Sequence, residues 1–120
     1  MRRMVNGVNM KTDVSGSAMP GKLTPKQQRL LSFWAGRYIW WKTPAEALQY
    51  PERIIAQVMD IGDYDDVQEM LHAFGENVLR HLLRHAEAGM FSPRSWAYWH
   101  YRLGLAAPGQ VPPLPHRKVS

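Results

Sequence analysis

Apolar residues recur at three- and four-residue intervals from Leu30 to Leu105, and no segment alternates apolar and polar positions with the period of a strand. The pattern predicts an all-α protein. Leu30, Leu31, Phe33 and Trp34 form the first stripe, behind Thr24 as cap and Pro25 at the first helical position, so a helix is expected from about Pro25 to Trp34 or further, with Gly36 loosening the pattern. Tyr38, Ile39, Trp40 and Trp41 follow as an aromatic cluster. Thr43-Pro44-Ala45-Glu46 is a capping box, whose hydroxyl and carboxylate each satisfy an amide at the other's end. It opens a short turn through Leu48, which Tyr50-Pro51 interrupts because a residue before proline is pushed out of the helical region.

Pro51 starts a new helix carrying Ile54, Ile55, Val58 and Met59, and Gly62 ends it. Asp63, followed by Asp66, caps the next, with Val67, Met70, Leu71 and Phe74 inward and Gly75 as its stop. Glu76 begins a longer helix lined by Val78, Leu79, Leu82, Leu83 and Ala86, closed by Gly89. Met90 and Phe91 lead into the last. The expectation is a compact bundle of five or six short helices over residues 23–105, with a disordered basic leader at 1–22 and a Pro-rich extended tail at 106–120.

The last helix, in SPRSWAYWHYRLGL from Ser92 to Leu105, is the most sharply punctuated segment of the chain. Ser92 caps it, Pro93 takes the first helical position and Gly104 can adopt the left-handed conformation that ends it. At about 100° per residue, Trp96, Trp99 and Leu103 share one face with His100 at its edge, and Arg94, Tyr98, Tyr101 and Arg102 share the other. The first face is expected in the core. The second carries more aromatic and cationic surface than solubility needs, and Arg94, Tyr98, Tyr101 and Arg102 are the candidate partner-binding residues.

Composition narrows the partner. The net charge is +5, of which Arg2, Arg3, Lys11 and Lys22 against Asp13 place +3 on residues 1–22, and Arg117 with Lys118 place +2 after residue 104. The helical domain itself is neutral, whereas a domain that grips DNA through many phosphates carries its own cationic excess. DNA contact is therefore a role for the basic tails. The chain has no cysteine, which removes disulfides and thiolate sites and fits a cytoplasmic protein. No apolar run approaches the roughly 20 residues that span a bilayer, so no membrane partner is expected.

Other clusters have simpler readings. His81 and His85 are spaced to share a metal, yet Leu82 stands where a zinc-protease motif has glutamate, and a solvated helix face accounts for the pair. Asp60, Asp63, Asp65 and Asp66 lack the offsets of a calcium loop and suit helix capping, with an acidic docking patch as the alternative. Arg80 and Arg84 can extend the cationic surface of the last helix. Trp34, Trp40 and Trp41 are core or contact residues, and the adjacency of Trp40 and Trp41 keeps both from pointing into one interior. No nucleophile-base pair or phosphate-cradling loop stands out, so no catalytic residue, cofactor or metal is assigned.

From Tyr50 to Leu105, YPERIIAQVMDIGDYDDV, GENVLRHLLRHAEAG and SPRSWAYWHYRLGL together resemble small helical bacterial proteins encoded beside nucleotidyltransferase-type toxins of the abortive-infection kind. The resemblance implies a non-enzymatic antitoxin that binds and neutralises a cognate nucleotidyltransferase-like toxin. The alternative is a small helical DNA-binding regulator, its last helix in a groove and its tails on phosphates.

Overall fold

The Thr24 hydroxyl oxygen accepts a hydrogen bond from the Gln27 amide while the Gln27 side-chain oxygen accepts one from the Thr24 amide, and this capping box launches the first helix, α1, Pro25–Tyr38. The computed structural model describes residues 22–115, and among these the fold is all-α, as the apolar periodicity predicts. After α1 come α2 (Pro44–Ala47), α3 (Pro51–Ile61), α4 (Tyr64–Phe74), α5 (Glu76–Arg84) and α6 (Pro93–Arg102). Residues 1–21 and 116–120, which hold nearly all of the expected basic leader and the end of the expected tail, lie outside the described residues.

One boundary is settled and one differs from the expected. α1 takes the longer of its two expected extents, running through Gly36 to Tyr38, because Leu31, Trp34, Ala35 and Tyr38 continue one buried face. α5 ends at Arg84, before Gly89, and His85 closes it by donating its backbone N–H to the His81 carbonyl. The stops of α3, α4 and α6 fall where glycine places them. At Gly62 a Cβ would lie 2.4 Å from the Val58 carbonyl oxygen, so only glycine fits there. Gly104, at φ 71°, completes a paired C-terminal lock in which its amide donates to Tyr101 and the Leu105 amide to His100.

α3 is central, packing against α1, α4, α5 and α6. Its Ile54, Ile55 and Val58 are fully buried with Leu31 and Trp34 of α1, Met70 of α4, Leu79 of α5 and Trp99 of α6. Helices this short leave a large share of their carbonyls without an intrahelical donor, and side chains from neighbouring helices supply the missing bonds. Gln27 donates to the Ala73 carbonyl at the end of α4, at 2.8 Å. Gln57 donates to Tyr38 at the end of α1. At the end of α3, the Trp99 indole N–H reaches the Met59 carbonyl at 2.8 Å and the Ser95 hydroxyl reaches that of Asp60. The Asp60 carboxylate returns the favour, accepting from the amide and hydroxyl of Ser92 at the start of α6. α3 and α6 thus cap each other.

The Pro-rich segment from Ala106 to Pro115 is non-helical, as its prolines dictate, and lies against α6. Trp96 donates its indole N–H to the Pro112 carbonyl at 2.8 Å, and Val111 and Leu114 pack on the core. No helix among the described residues is long and apolar enough to cross a membrane.

Candidate functional site

α6 divides its side chains as the helical wheel predicts. Trp96, Trp99, His100 and Leu103 are buried, Trp99 to 1% exposure, whereas Tyr98 and Tyr101 stand 50% and 46% exposed. His100 goes deeper than its edge position suggested. Its Nδ1 lies 2.7 Å from the Trp96 carbonyl and its ring meets the Trp96 indole at 4.3 Å, so it is a satisfied core residue.

Three of the four candidate contact residues are already arranged by their neighbours. Arg102 donates to the Tyr98 hydroxyl at 2.8 Å and lays its guanidinium over the Trp99 ring at 5.5 Å. Tyr98 in turn stands edge-on to Trp99, with centroids 5.2 Å apart. Tyr98 and Arg102 therefore form a preset unit on a buried indole. Tyr101 is directed differently, its hydroxyl accepting from the Gly109 amide at 3.3 Å and so holding the Pro-rich segment. Arg94 is exposed one turn before Tyr98, with no hydrogen bond or ion pair to the described residues.

Arg80 does not join this surface. Its Nε donates to the Leu103 carbonyl at the end of α6, while its other nitrogens hold Asn77 and Glu76, so the expected cation is spent on tying α5 to α6. Arg84 remains exposed. The carboxylates from Asp60 to Asp66 act mainly as caps. Asp63 caps α4 and pairs with Arg37 at 2.8 Å, and Asp66 accepts from the Tyr38 hydroxyl at 2.5 Å, also facing Arg37. Burial, reinforced by the Asp66 hydrogen bond, raises the Tyr38 hydroxyl above its ordinary pKa. Asp65 alone of the four carboxylates points to solvent without a protein partner among the described residues.

His81 and His85 stack with centroids 4.1 Å apart, and the Nδ1 of His85 lies 3.0 Å from the His81 carbonyl. Among the described residues no group of three His, Cys, Asp or Glu side chains is placed to hold a metal.

A second surface was hidden from sequence reasoning. Trp40 and Trp41 are 79% and 55% exposed, stand edge to face at 5.5 Å, and neither enters the core. Beside them opens a groove of about 470 Å³, lined by Trp41, Tyr50, Ile39, Ala47 and Met90 with Gln57 among its polar residues. Lys42 lies at its rim, 6.0 Å from the Tyr50 ring centre, with no ion pair to the described residues. Glu46, a carboxylate close enough to feel Lys42, is committed to capping α2. The Thr43 amide, then its hydroxyl, and to a lesser degree Lys42, hold it below the usual carboxylate range. Arg53 forms the opposite rim and pairs through one nitrogen with Glu87. The signal in the sequence was Trp40-Trp41 followed by Tyr50, but only the turn after α1 and the short α2 bring Trp41 and Tyr50 to the same groove.

No family model, curated protein or solved structure was found to match this chain.

Proposed function

We propose that the protein is a non-enzymatic binding module whose α6 face docks on a protein partner, and that this partner is a nucleotidyltransferase-type toxin which the module neutralises. The observation that carries the docking surface is the Tyr98–Arg102 pair. Its hydrogen bond and its seat on Trp99 fix two rotamer-rich side chains before any partner arrives, which lowers the ordering cost of association. Exposed Tyr and Arg on a rigid element are the residues that dominate protein interfaces. The choice of toxin rests on the sequence resemblance between Tyr50 and Leu105.

Co-expression with the product of the adjacent gene, which this reading expects to be a nucleotidyltransferase-type protein, tests the reading. A complex that survives co-purification and restores growth is expected, and Tyr98→Ala or Arg94→Glu should weaken it by at least about thirtyfold, the effect of losing a hot spot worth about 2 kcal/mol. Both positions are exposed, so the variants should fold. Failure to co-purify, or a mobility shift with the gene's own promoter that α6 variants abolish while the complex is absent, would replace this reading with the DNA-binding one.

A further inference from the structure

The Pro-rich segment after α6 carries a pattern that its packing does not call for. Residues 111–117 read Val-Pro-Pro-Leu-Pro-His-Arg, so an apolar residue followed by proline occurs at Val111-Pro112 and again at Leu114-Pro115, with a cation two places further on. Prolines favour a polyproline II helix of about three residues per turn, which puts Val111 and Leu114 on one edge and Pro112 and Pro115 on the next. Only the first edge packs on the core, Val111 and Leu114 being half-buried, while Pro112 and Pro113 are exposed. A carbonyl at residue 112 gives the segment its bond to Trp96, and any residue there supplies one. These contacts account for neither the prolines at 112 and 113 nor the cations Arg117 and Lys118, which follow in the sequence beyond the described residues. No acidic residue follows Glu87 in the chain, so the positive end of the segment has no opposite charge nearby in sequence.

The seat on α6 treats the segment as a polyproline ligand. Trp96 sets its indole N–H on the Pro112 carbonyl at 2.8 Å, and the Tyr101 hydroxyl accepts from the Gly109 amide at 3.3 Å. Proline-rich chains are taken up by aromatic-lined grooves because the chain arrives already stiff and loses little entropy on docking. Here one buried indole and one exposed tyrosine do that work, and the hold is slight. A depression of about 400 Å³, lined by Pro112, Pro115, Leu83, Trp96 and His100, remains beside the contact, so the seat is incompletely filled. We propose that residues 111–117 are a docking motif for a protein partner whose aromatic-lined groove ends in an acidic pocket, and that Trp96 holds the motif in reserve until such a partner takes it. The two apolar-proline pairs enter the groove and the Pro112 carbonyl leaves Trp96. Arg117 then meets the acidic pocket, which fixes the direction of a chain whose edges look much the same from either end. This goes beyond α6 docking, and it stands or falls without the toxin.

The test is a titration of the ¹⁵N-labelled full chain with an unlabelled SH3 domain whose groove ends in acidic residues, read by NMR. Saturable shifts are expected at the Trp96 indole N–H and at the amides of Gly109, Val111 and Leu114, with the Trp41 indole unmoved. Arg117→Glu and Pro115→Ala should each weaken binding by at least about tenfold. Trp96→Phe keeps a ring and drops the N–H, so it should tighten binding by about two- to tenfold, because the motif no longer has to leave its donor. Tyr101→Phe, an exposed change that removes the other bond to the segment, should tighten it by a smaller factor and does not disturb the core. Tyr98→Ala, which breaks the α6 docking face, should leave this binding unchanged, so the two readings fail separately. The proposal is overturned if no saturation is reached by about 1 mM domain, if neither Trp96→Phe nor Tyr101→Phe binds more tightly, or if Arg117→Glu binds as well as the wild type. Equal binding by an SH3 domain with its acidic residues changed to lysine overturns it too.

Discussion

Trp40 and Trp41, just past the end of α1, and Trp96 and Trp99, within α6, are the same side chain in two settings. The first pair stands in solvent and the second is buried with both indole N–H groups bonded. The difference lies in the backbone beneath them. Within α6 the period of 3.6 residues returns Trp96, Trp99 and Leu103 to one side, and the carbonyls of Pro112 and Met59 wait where the indoles arrive. After Tyr38 the helix has ended, and the chain turns so that Ile39 goes in while both tryptophans go out. Burial of an indole thus follows from regular structure on its own element and from an acceptor on another.

The sharpest way to break this comparison is to remove Trp99. Truncation of a buried Trp costs about 3–5 kcal/mol through lost contacts and the cavity left behind. It also strands the Met59 carbonyl, a buried acceptor worth about 1–3 kcal/mol. Small domains have about 5–15 kcal/mol in all. Trp99→Ala is therefore expected to leave the chain unfolded or nearly so in a urea melt followed by circular dichroism. A milder pair probes the N–H alone. Trp34 is fully buried, yet its Nε1 has no hydrogen-bond partner, whereas that of Trp99 has one. Trp34→Phe removes an unsatisfied donor and Trp99→Phe a satisfied one, so the first should cost less by about 1–3 kcal/mol. Equal losses would show that cavity volume alone governs both.

What could be read from the sequence follows the same division. The all-α class, the caps at Thr24, Thr43, Asp63 and Ser92, and the two faces of α6 were legible because each is decided by residues within a turn or two of one another. The ends of α1 and α5 were not, since neither stops at a glycine. Tyr38 closes α1 while its hydroxyl is held by Asp66, and Gln57 takes its carbonyl. Arg80 looked like free surface charge because nothing local shows that the Leu103 carbonyl lies within its reach. The groove was illegible for a similar reason, its walls at Trp41 and Tyr50 having no helical spacing.

Tyr38 offers a smaller and pH-dependent test of that tertiary stop. Its hydroxyl donates to Asp66 and accepts from the Asp63 amide and Arg37 Nε, so Tyr38→Phe should cost about 1–3 kcal/mol near neutral pH. Burial, and then the Asp66 bond, raise its pKa in the folded state. A raised pKa means the folded state holds its proton longer than the unfolded one. The associated stability is fully present below the unfolded value of about 10 and is lost as pH rises through the folded value. Melting temperatures of wild type and Tyr38→Phe should therefore converge on going from pH 8 to about pH 11. A gap that stays constant would mean that the hydroxyl is not the titrating element of this joint.

The smallest effect is expected where the comparison began. Trp40→Ala and Trp41→Ala remove large side chains that are mostly exposed, and surface changes of this kind usually fall within about 0.5 kcal/mol. An edge-to-face pair of buried rings can contribute about 0.5–1.5 kcal/mol, but here water competes for both faces, so a double-mutant cycle should return a coupling below about 0.5 kcal/mol. A loss above about 1 kcal/mol in either single variant would show that the pair is packed, and would remove the contrast with α6.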